Sequence, residues 1–293
     1  MALPEQLPLV TVYIATHNRP ELLARAVGSC VAQTYLRLEI IVVDDSSGPE
    51  HKQQNQQLLQ QYPQIKYLHL AVASGAPVAR NTAIEMANGE FITGLDDDDE
   101  FEPGRITELV QQWYSHPGCA FLSTGYTVIN EQQRRFSFAK RARAISYQQL
   151  LYANLVGNQI FTLTSSLRAI NGFDPAMPSC QDYDTWLRLS AVFGSGYRIG
   201  SCSYILHHDH QFERISASAK REQGYQLLLK KHGEFMSAAQ LASHQVNSAL
   251  HNNQPLPWRA VFQLPLTQQL RVLKNLIMRR AWSLIFFSKG SPQ

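Results

Sequence analysis

The sequence predicts an α/β fold, with a mostly parallel sheet flanked by helices and a helical C-terminal extension. Strand and helix patterns alternate over the first hundred residues, which is the arrangement that places parallel strands between covering helices. Aspartates directly follow two of the predicted strands, at the edge where open α/β sheets bind ligands. After Ser216 the apolar spacing becomes helical throughout.

Four strands and three helices alternate in the first hundred residues. The strands are apolar and rich in β-branched residues, as expected for a sheet that is covered on both faces. The first helix follows Pro20, and proline is favoured in the first turn of a helix. In chain order the predicted elements are strand 9–15, helix 21–32, strand 38–43, helix 50–61, strand 65–70, helix 77–87 and strand 90–95.

The second half is less regular, and proline residues break its last helical stretch. We predict a domain over residues 1–215 and a helical extension with a basic amphipathic tail over residues 216–293. The further predicted elements are strand 119–129, helix 146–153, strand 159–164, helix 182–193, strand 203–207 and the helices 218–232, 235–251 and 267–287.

The 293 residues contain 26 Lys and Arg against 23 Asp and Glu, but the charges are unevenly distributed. From Phe235 onward there are six basic residues and no acidic one. Because the whole chain has a formal charge of +3, residues 1–234 carry −3. The four cysteines form no CxxC pair, which argues against a zinc ribbon or a disulfide scaffold and favours a reducing compartment. We see neither a signal peptide nor a run of about 18–20 apolar residues.

Four consecutive aspartates, Asp96 to Asp99, follow the fourth predicted strand, and Asp44 and Asp45 follow the second. Carboxylates a few ångströms apart raise one another's pKa unless a cation neutralises them. Divalent ions such as Mg²⁺ and Mn²⁺ bind carboxylate oxygens together with substrate phosphates. A solvated acidic turn is the alternative, but the position at the ligand-binding edge favours a metal and a diphosphate.

Several motifs in a fixed order resemble those of family 2 glycosyltransferases with the GT-A fold, a Rossmann-like fold that binds nucleotide-diphospho-sugars. The resemblance covers about residues 8–215 and implies an inverting enzyme of the bacterial surface-polysaccharide type. It also implies a nucleotide-binding half over residues 1–100 and an acceptor half over residues 101–215. The motifs are VTVYIATHNRP at 10–20, LEIIVVDDSS at 38–47, GAPVARN at 75–81, NGEFITGLDDDD at 88–99, GFD at 172–174 and QDYDTWLRL at 181–189.

The resemblance implies a role for each matching residue on the donor side. Asp45 would accept a hydrogen bond from the nucleotide base, which suits N3–H of uracil, and Thr16 would line the same pocket. Asp96 and Asp97 match the family's DxD element and would face the ribose and the diphosphate. Arg80 would add a fixed positive charge or orient the base, and packing of its own helix is the alternative.

Asp98 completes the DxD element and would ligate the metal, Mn²⁺ or Mg²⁺, that offsets the developing charge of the leaving nucleoside diphosphate. The segment 207–210 is rich in histidine, and in this family a histidine near this point can complete the metal or diphosphate site. The resemblance favours His208, with His210 as the alternate ligand and an exposed strand end as the other interpretation. No HExxH pattern supports a zinc enzyme.

Asp182 matches the catalytic base of the family. Inverting transfer requires a carboxylate that accepts the proton of the acceptor hydroxyl as that hydroxyl attacks the anomeric carbon. The family has Glu-Asp at this point, whereas this chain has Gln181 followed by Asp182. The departure keeps the base and changes the charge of its neighbour. Asp184 is expected to cap the helix or to form a salt bridge on it.

Five basic residues lie within ten positions between the donor motifs and Asp182, with two phenylalanines among them. Interleaved basic and aromatic residues also occur in nucleic-acid-binding proteins, and a solvated loop is a further alternative. Within a transferase we expect a mobile acceptor loop that suits a lipid-linked diphosphate or a phosphorylated saccharide, and no nucleic-acid partner. The basic residues are Arg134, Arg135, Lys140, Arg141 and Arg143.

Apolar residues near helical spacing and interleaved basic residues characterise residues 258–288. This composition fits a helix that lies on an anionic membrane surface, and the alternatives are packing on the catalytic domain or a dimer contact. The QxxRW signature and the spanning helices of the family's processive synthases are absent from the sequence. Transfer of a single sugar is therefore favoured over polymerisation.

These observations together predict a metal-dependent, inverting glycosyltransferase that moves one sugar from a nucleotide sugar, preferably a UDP-sugar, to a saccharide or lipid-linked glycan. We expect a cytoplasmic protein, peripheral at the inner face of the membrane. Sugar nucleotidyltransferases share the α/β layout, but residues 16–19 do not resemble their glycine-rich phosphate loop. A catalytically silent membrane-peripheral binding subunit is the other alternative, and the presence of Asp98 and Asp182 argues against it.

Overall fold

The alternation of strands and helices is confirmed by a computed structural model, which describes residues 6–208, 219–252, 254–270 and 272–273. Each boundary in the first hundred residues lies within one residue of its prediction. Proline occupies the first or second position of all three helices here, where its missing N–H has no helical partner to lose. The elements are β1 (Val10–Thr16), α1 (Pro20–Val31), β2 (Leu38–Asp44), α2 (Pro49–Gln60), β3 (Lys66–His69), α3 (Ala76–Met86) and β4 (Phe91–Asp96).

The next part of the chain adds shorter elements. The predicted helix 182–193 and strand 203–207 are confirmed within one residue, as α7 and β12 below. The elements are β5 (Glu100–Phe101), α4 (Arg105–Ser115), β6 (Leu122–Ser123), β7 (Tyr126–Asn130), β8 (Arg135–Phe138), β9 (Arg143–Ile145), α5 (Tyr147–Leu150), β10 (Phe161–Leu163), α6 (Thr164–Ala169), α7 (Gln181–Phe193), β11 (Gly196–Arg198) and β12 (Tyr204–His208).

Eight strands form the main sheet, in the order β3-β2-β1-β4-β10-β6-β11-β9. The first four strands along the chain are parallel, and their register places Thr16 opposite Asp44 and Ala15 opposite Asp96. Because parallel strands direct their carboxyl ends to one edge of a sheet, the polar residues that end β1, β2 and β4 lie side by side. The apolar residues of these strands are buried in the core, and this packing holds the polar strand ends in place at that edge.

A second sheet of four strands has the order β5-β12-β7-β8. The single strand predicted over 119–129 is wrong, because this segment forms β6 in the main sheet and β7 in the second sheet. A Cβ atom on Gly125, between the two strands, would lie 2.5 Å from the carbonyl oxygen of Phe138 and 2.8 Å from Cys202 Sγ. The backbone can pass this closely only where there is no side chain, and an apolar run does not reveal such a crossing.

The chain divides into two units, residues 1–150 with 154–229, and residues 151–153 with 230–293. The helices predicted over 218–232 and 235–251 are observed as α8 (Ala219–His232) and α9 (Ala238–His251), and α10 (Trp258–Gln263) follows. The first turn of α9 is closed by a capping box between Ser237 and Gln240. The core of the second unit contains Ala242, Val246, Ala260, Val261, Leu264 and Val272.

Large apolar side chains are exposed on the second unit. Trp258 is 51% exposed and Phe262 73%, and one helical turn separates them on α10. Leu266, Leu270 and Leu273 are also exposed. In the part of the chain that the structure describes, no helix has the length and apolar character needed to cross a membrane. Most of the predicted helix 267–287 and of the predicted membrane-binding segment 258–288 lies outside the described residues.

Candidate active site

The two adjacent aspartates at the end of β2 have different surroundings. Asp44 is fully buried, and its carboxylate accepts hydrogen bonds of 2.8–2.9 Å from Ser47 N, Asn55 Nδ2 and Tyr67 Oη. Burial alone would raise the pKa of Asp44, but these hydrogen bonds outweigh it and hold the pKa below its ordinary value. Asp44 therefore ties the end of β2 to α2 and β3, which is a structural role.

Asp45 lies at the same edge and is held by the backbone that leads into α3. Its two carboxylate oxygens accept hydrogen bonds from Ser74 N and Gly75 N, both at 2.7 Å. Gly75 has φ +90°, a backbone conformation that glycine adopts readily. A carboxylate oxygen has more than one acceptor position, so the fixed Asp45 carboxylate retains capacity for another donor. Its contact with a nucleotide base stays a prediction.

The first aspartate of the run, Asp96, accepts hydrogen bonds from three side chains in two parts of the chain. Arg80 Nη2 lies 3.0 Å from Asp96 Oδ1, and the amides of Gln159 and Asn158 donate at 2.8 and 3.3 Å. Arg80 is therefore an ion-pair partner of Asp96, and its contact with the nucleotide stays a prediction. Three neutral or positive donors on one carboxylate orient it tightly at the end of β4.

Asp97 points into the protein rather than toward the edge. Only 6% of it is exposed, and it accepts hydrogen bonds from Thr16 Oγ1 at 2.7 Å and Arg19 Nη1 at 3.2 Å. Burial raises the pKa of Asp97 to about 6, against the opposing effect of Arg19. These contacts join the ends of β1 and β4 and favour a positioning role for Asp97 and Thr16. The donor-binding roles of both residues stay predictions.

Asp98 and Asp99 complete the run. Asp98 Oδ2 lies 3.9 Å from Arg19 Nη1, and its side chain keeps 16% of its surface exposed. Asp99 is buried and accepts a hydrogen bond from His207 N at 3.1 Å. Burial, together with the charges of Asp98 and Asp96, raises the pKa of Asp99 well above its ordinary value. The structure thus holds several carboxylates close enough to repel one another.

Asp182 is the second residue of α7, and its neighbour Gln181 contacts Arg80. Arg80 Nη1 donates to Gln181 Oε1 at 2.9 Å, so one guanidinium joins Asp96 to the first residue of α7. Asp182 accepts a hydrogen bond from Asn154 Nδ2 at 3.0 Å. Burial and the charge of Asp96 raise the pKa of Asp182 to about 6, against the opposing effects of Arg80 and two hydrogen bonds. At neutral pH this carboxylate is mostly ionised and is more basic than an ordinary aspartate, as a general base should be.

Gln181 departs from the acidic residue that the family motif has at this position. Its amide oxygen accepts from Arg80 without adding a negative charge. A second carboxylate here would raise the pKa of Asp182 further by repulsion. The glutamine therefore helps keep Asp182 ionised near neutral pH.

Asp184, two residues after Asp182, is fully buried. It pairs with Arg188 at 2.8 Å, which is the helix salt bridge that the sequence suggested.

The sequence did not reveal the segment 154–159 as part of the site. Asn154 contacts Asp182, and Asn158 and Gln159 contact Asp96, so six residues connect the two carboxylates. Tyr13 Oη donates to Gln159 Oε1 at 3.0 Å. Any side chain at Gly94 would overlap Gln159 and Tyr13. Arg19 was also missed, and its position just before the proline that opens α1 was the one signal that could have suggested it.

The predicted histidine ligands lie on β12. His207 is buried, and its ring contacts Glu100 while its backbone N–H donates to Asp99. His208 is exposed at the end of the strand, in register with Asn130 of β7. His210 lies outside the described residues. The assignment of His208, or alternatively His210, to the metal or diphosphate site stays a prediction.

The basic segment does not form the loop that the sequence predicted. Residues 135–138 are strand β8, paired with β7, and residues 143–145 are strand β9 at the end of the main sheet. Alternating apolar residues in the short stretch RFSF were the missed strand signal. Arg135 forms an ion pair with Glu102, and Arg134, Lys140 and Arg141 are exposed. The acceptor role of the segment stays a prediction.

Comparison with known proteins identifies the family. The model of "Glycosyl transferase family 2" matches residues 11–171, more than half of the chain. The protein WcaA of Escherichia coli K12, whose name assigns it to colanic acid biosynthesis as a glycosyl transferase, is 32% identical over 263 residues. That match covers 88% of this chain and 93% of WcaA. The chain belongs to glycosyl transferase family 2. It is therefore a glycosyltransferase enzyme.

Two further comparisons concern a part of the chain and its fold. A GalNAc(5)-diNAcBac-PP-undecaprenol beta-1,3-glucosyltransferase of Campylobacter jejuni is 38% identical over 114 residues, which cover 38% of this chain and 37% of that enzyme. The crystal structure of residues 1–349 of Staphylococcus aureus TarS with UDP-GlcNAc superposes with a TM-score of 0.64 at 18% identity. This superposition covers 82% of this chain and 67% of TarS, and it shows that the fold is GT-A.

Family 2 members with the GT-A fold generally use a divalent metal. Among the described residues, no group of three or more His, Cys, Asp or Glu is placed to hold one. Mg²⁺ is commonly bound by one or two carboxylates, with substrate phosphates and waters completing its shell, so a third protein ligand is not required. Burial raises the pKa of Asp99 most, and the charges of Asp98 and Asp96 raise it further. A cation would relieve this second, repulsive contribution. Asp98 and its neighbours therefore fit a divalent ion.

Proposed function

We propose that this enzyme transfers a single sugar, with inversion, from a UDP-sugar to a saccharide or a lipid-linked glycan. The observation that carries the proposal is the Arg80 guanidinium, which joins Asp96 at the end of β4 to Gln181 at the start of α7. This bridge holds Asp182, a carboxylate of raised pKa, beside the aspartates that would face the donor. Arg80 thus connects the proposed base, Asp182, to the proposed diphosphate site at Asp96. This arrangement suits a reaction in which the acceptor hydroxyl displaces the diphosphate in one step.

In the proposed step, Asp182 accepts the proton of the acceptor hydroxyl. The hydroxyl oxygen forms a bond to the anomeric carbon while the bond from that carbon to the diphosphate oxygen breaks, and UDP leaves with its electron pair. Inversion follows because the oxygen attacks from the face opposite the leaving group. A divalent ion, Mn²⁺ or Mg²⁺, held by Asp98 would stabilise the charge of the departing diphosphate. Asn154 would keep the Asp182 carboxylate in position.

Uridine recognition is supported by the surroundings of Asp45. Two backbone N–H groups fix its carboxylate at the carboxyl edge of the sheet, and an additional acceptor position suits an imide N–H. TarS, which shares the fold, has been crystallised with UDP and with UDP-GlcNAc. We assign the donor as a uridine nucleotide on these two grounds.

A panel of UDP-, GDP- and TDP-sugars tests the donor assignment. We expect metal-dependent release of UDP. Consumption of added pyrophosphate, with formation of UTP and a sugar 1-phosphate, would instead indicate a nucleotidyltransferase. Asp45→Asn is expected to weaken UDP binding by about 10–100-fold, because a hydrogen bond to a charged group contributes about 1.5–3 kcal/mol. Calorimetry with UDP and with GDP measures this loss. Equal affinity of the wild type for both nucleotides would contradict the uridine assignment, and binding without turnover would indicate a silent subunit.

The acceptor is proposed to be a growing bacterial surface polysaccharide. The names of the relatives place WcaA in colanic acid biosynthesis and the Campylobacter enzyme on an undecaprenol-linked saccharide. The exposed basic side chains of residues 134–141 suit phosphate groups of such an acceptor. Transfer of one sugar, rather than polymerisation, follows from the missing QxxRW signature.

We further propose that the second unit binds the inner face of an anionic membrane. Trp258 and Phe262 are exposed on one face of α10, and the chain has six basic and no acidic residues from Phe235 onward.

The double variant Trp258→Asp and Phe262→Asp should bind phosphatidylglycerol vesicles at least about tenfold more weakly, since each aromatic side chain buried in the membrane contributes about 1.5–3 kcal/mol. Flotation of the full chain measures this. Leu36→Asp, at an exposed site on the first unit, is the matched control, and equal binding of both variants would refute membrane docking.

A further inference from the structure

A cavity of about 150 Å³ lies in the first unit beside the candidate active site. Aromatic, amide and guanidinium groups line it, among them those of Tyr126, Tyr204, Asn158, Gln159 and Arg105. An apolar cavity of similar volume in another protein holds a benzene molecule, so the space suits a single ring or a small oxyanion. Aromatic walls with a few convergent polar groups are typical of a small-molecule site.

Arg105, the first residue of α4, is only 1% exposed. Its Nη1 donates to Thr124 Oγ1 at 2.7 Å and to Ser203 Oγ at 3.2 Å. The guanidinium carbon lies 4.7 Å from the ring centre of Phe101 and 5.3 Å from that of Tyr204. Within the described residues, Arg105 forms no ion pair with a carboxylate, and its Nε has no hydrogen-bond partner.

Arg105 differs from Arg80 and Arg188 because, among the described residues, no carboxylate forms an ion pair with it. The charge of Glu108 on the same helix acts on it without such a contact. Arg80 pairs with Asp96, and Arg188 pairs with Asp184. Burial lowers the pKa of Arg105 to about 10, which shows that its surroundings disfavour the charged form. Its position at the start of α4 adds the positive end of the helix dipole. The hydroxyl groups and aromatic rings around Arg105 offset part of the free-energy cost of burying its charge, and a bound anion would offset more of it.

The cavity adjoins the donor carboxylate through two of its lining residues. Gln159 donates to Asp96 Oδ1 at 2.8 Å, and Tyr204 Oη accepts from Asp96 N at 3.3 Å. The same segment reaches Asp182 through Asn154. A group in the cavity would therefore be separated from Asp96 only by the side chains that line the cavity. The charge of Asp96 itself is offset by Arg80, so it does not exclude an anion from this position.

We propose that this cavity is an acceptor subsite that binds an oxyanion, with the Arg105 guanidinium as its counter-charge. The oxyanion is the carboxylate of an acidic sugar or a phosphate ester, and both offer the coplanar oxygens that a guanidinium binds well. Its designation as an acceptor subsite rests on the proposed function, whereas the binding of an oxyanion does not.

Thermal unfolding of the full chain tests the subsite, with UDP and Mg²⁺ present so that the donor site is filled. The probes are sodium D-glucuronate and inorganic phosphate, with D-glucose and sodium chloride as controls at matched ionic strength. We expect a rise of about 2–4 °C in the melting midpoint at an anion concentration near ten times its dissociation constant. Thr124→Asp supplies an internal carboxylate next to Arg105 and should abolish the rise. Thr124→Asn, the neutral variant of the same shape, should retain it.

A rise with glucuronate alone identifies a sugar carboxylate, and a rise with phosphate alone identifies a phosphate ester. The proposal is overturned if neither anion stabilises the wild type, or if Thr124→Asp and Thr124→Asn respond equally. Leu206 is half-buried on β12 and lines the cavity, so Leu206→Trp should narrow it. This variant gives a second test if Thr124→Asp does not fold, and an undiminished rise in it also overturns the proposal. UDP titration of each variant reports the donor site separately, so a failure of the proposed transferase function is distinguishable from a failure of the subsite.

Discussion

Asp182→Asn should lower kcat by about 10²–10⁴ while leaving the KM for the nucleotide sugar within about threefold, because a positioned general base contributes that much. Asparagine has the same shape as aspartate, and its oxygen can still accept the hydrogen bond from Asn154. Its amide cannot accept the proton of the acceptor hydroxyl. The loss should therefore fall on the chemical step and spare the binding of the donor.

Steady-state release of UDP in the presence of acceptor measures this effect, and Asp184→Asn is the matched control on the same helix. Asp184 pairs with Arg188 inside the protein, so its loss should lower the melting temperature with little change in kcat. A kcat for Asp182→Asn within about threefold of the wild type would show that another group accepts the proton.

The pH dependence gives a second readout for Asp182. Burial and the charge of Asp96 raise its pKa from 3.8 to about 6, so kcat/KM should fall below pH 6 as the base becomes protonated. The stability of the folded state depends on pH in the opposite direction to kcat/KM. The raised pKa favours the folded state fully below about pH 3.8, and this contribution is lost as the pH rises through 6. At pH 7 the ionised Asp182 carboxylate therefore destabilises the folded state. Asp182→Asn removes this charge and should melt about 2–5 °C above the wild type.

The first half of the fold could be predicted because its signals are local. Strands of four to seven residues with a continuous apolar character alternate with helices that begin at proline, and each boundary was located within one residue. The register then aligns the polar strand ends, which is why Asp45 and the aspartate run share one edge. The positions of the donor-side carboxylates thus followed from element order alone.

The connections between these carboxylates could not be predicted, because they depend on irregular chain. Asn154, Asn158 and Gln159 belong to a segment without periodicity, and amide side chains have no sequence pattern that indicates a partner. The second sheet is built from strands of two to five residues, of which only β12 was predicted as a separate strand. The role of Arg80 needed the fold, since Asp96 and Gln181 are 16 and 101 residues away along the chain.

Asp98→Asn should lower kcat/KM by about 10²–10³ and make the binding of UDP insensitive to Mg²⁺ or Mn²⁺. The metal would offset the charge of the leaving diphosphate, and loss of one such electrostatic contact typically has an effect of this size. Asp98 keeps 16% of its side chain exposed, and Arg19 Nη1 lies 3.9 Å from its Oδ2. We expect the cation to bind at this exposed part of the carboxylate.

Calorimetry of UDP binding with Mg²⁺ and with EDTA measures this prediction in the wild type, in Asp98→Asn and in Asp99→Asn. Asp99 is the matched control from the same run, because burial and its neighbours raise its pKa well above the ordinary value and so favour its neutral form. An amide in place of that neutral acid should retain the metal dependence. If EDTA leaves wild-type binding unchanged, the donor binds without a divalent ion, and Arg19, Arg25 and Arg80 would be cations beside the run. If Asp98→Asn still responds to the metal, a group other than Asp98 holds the ion.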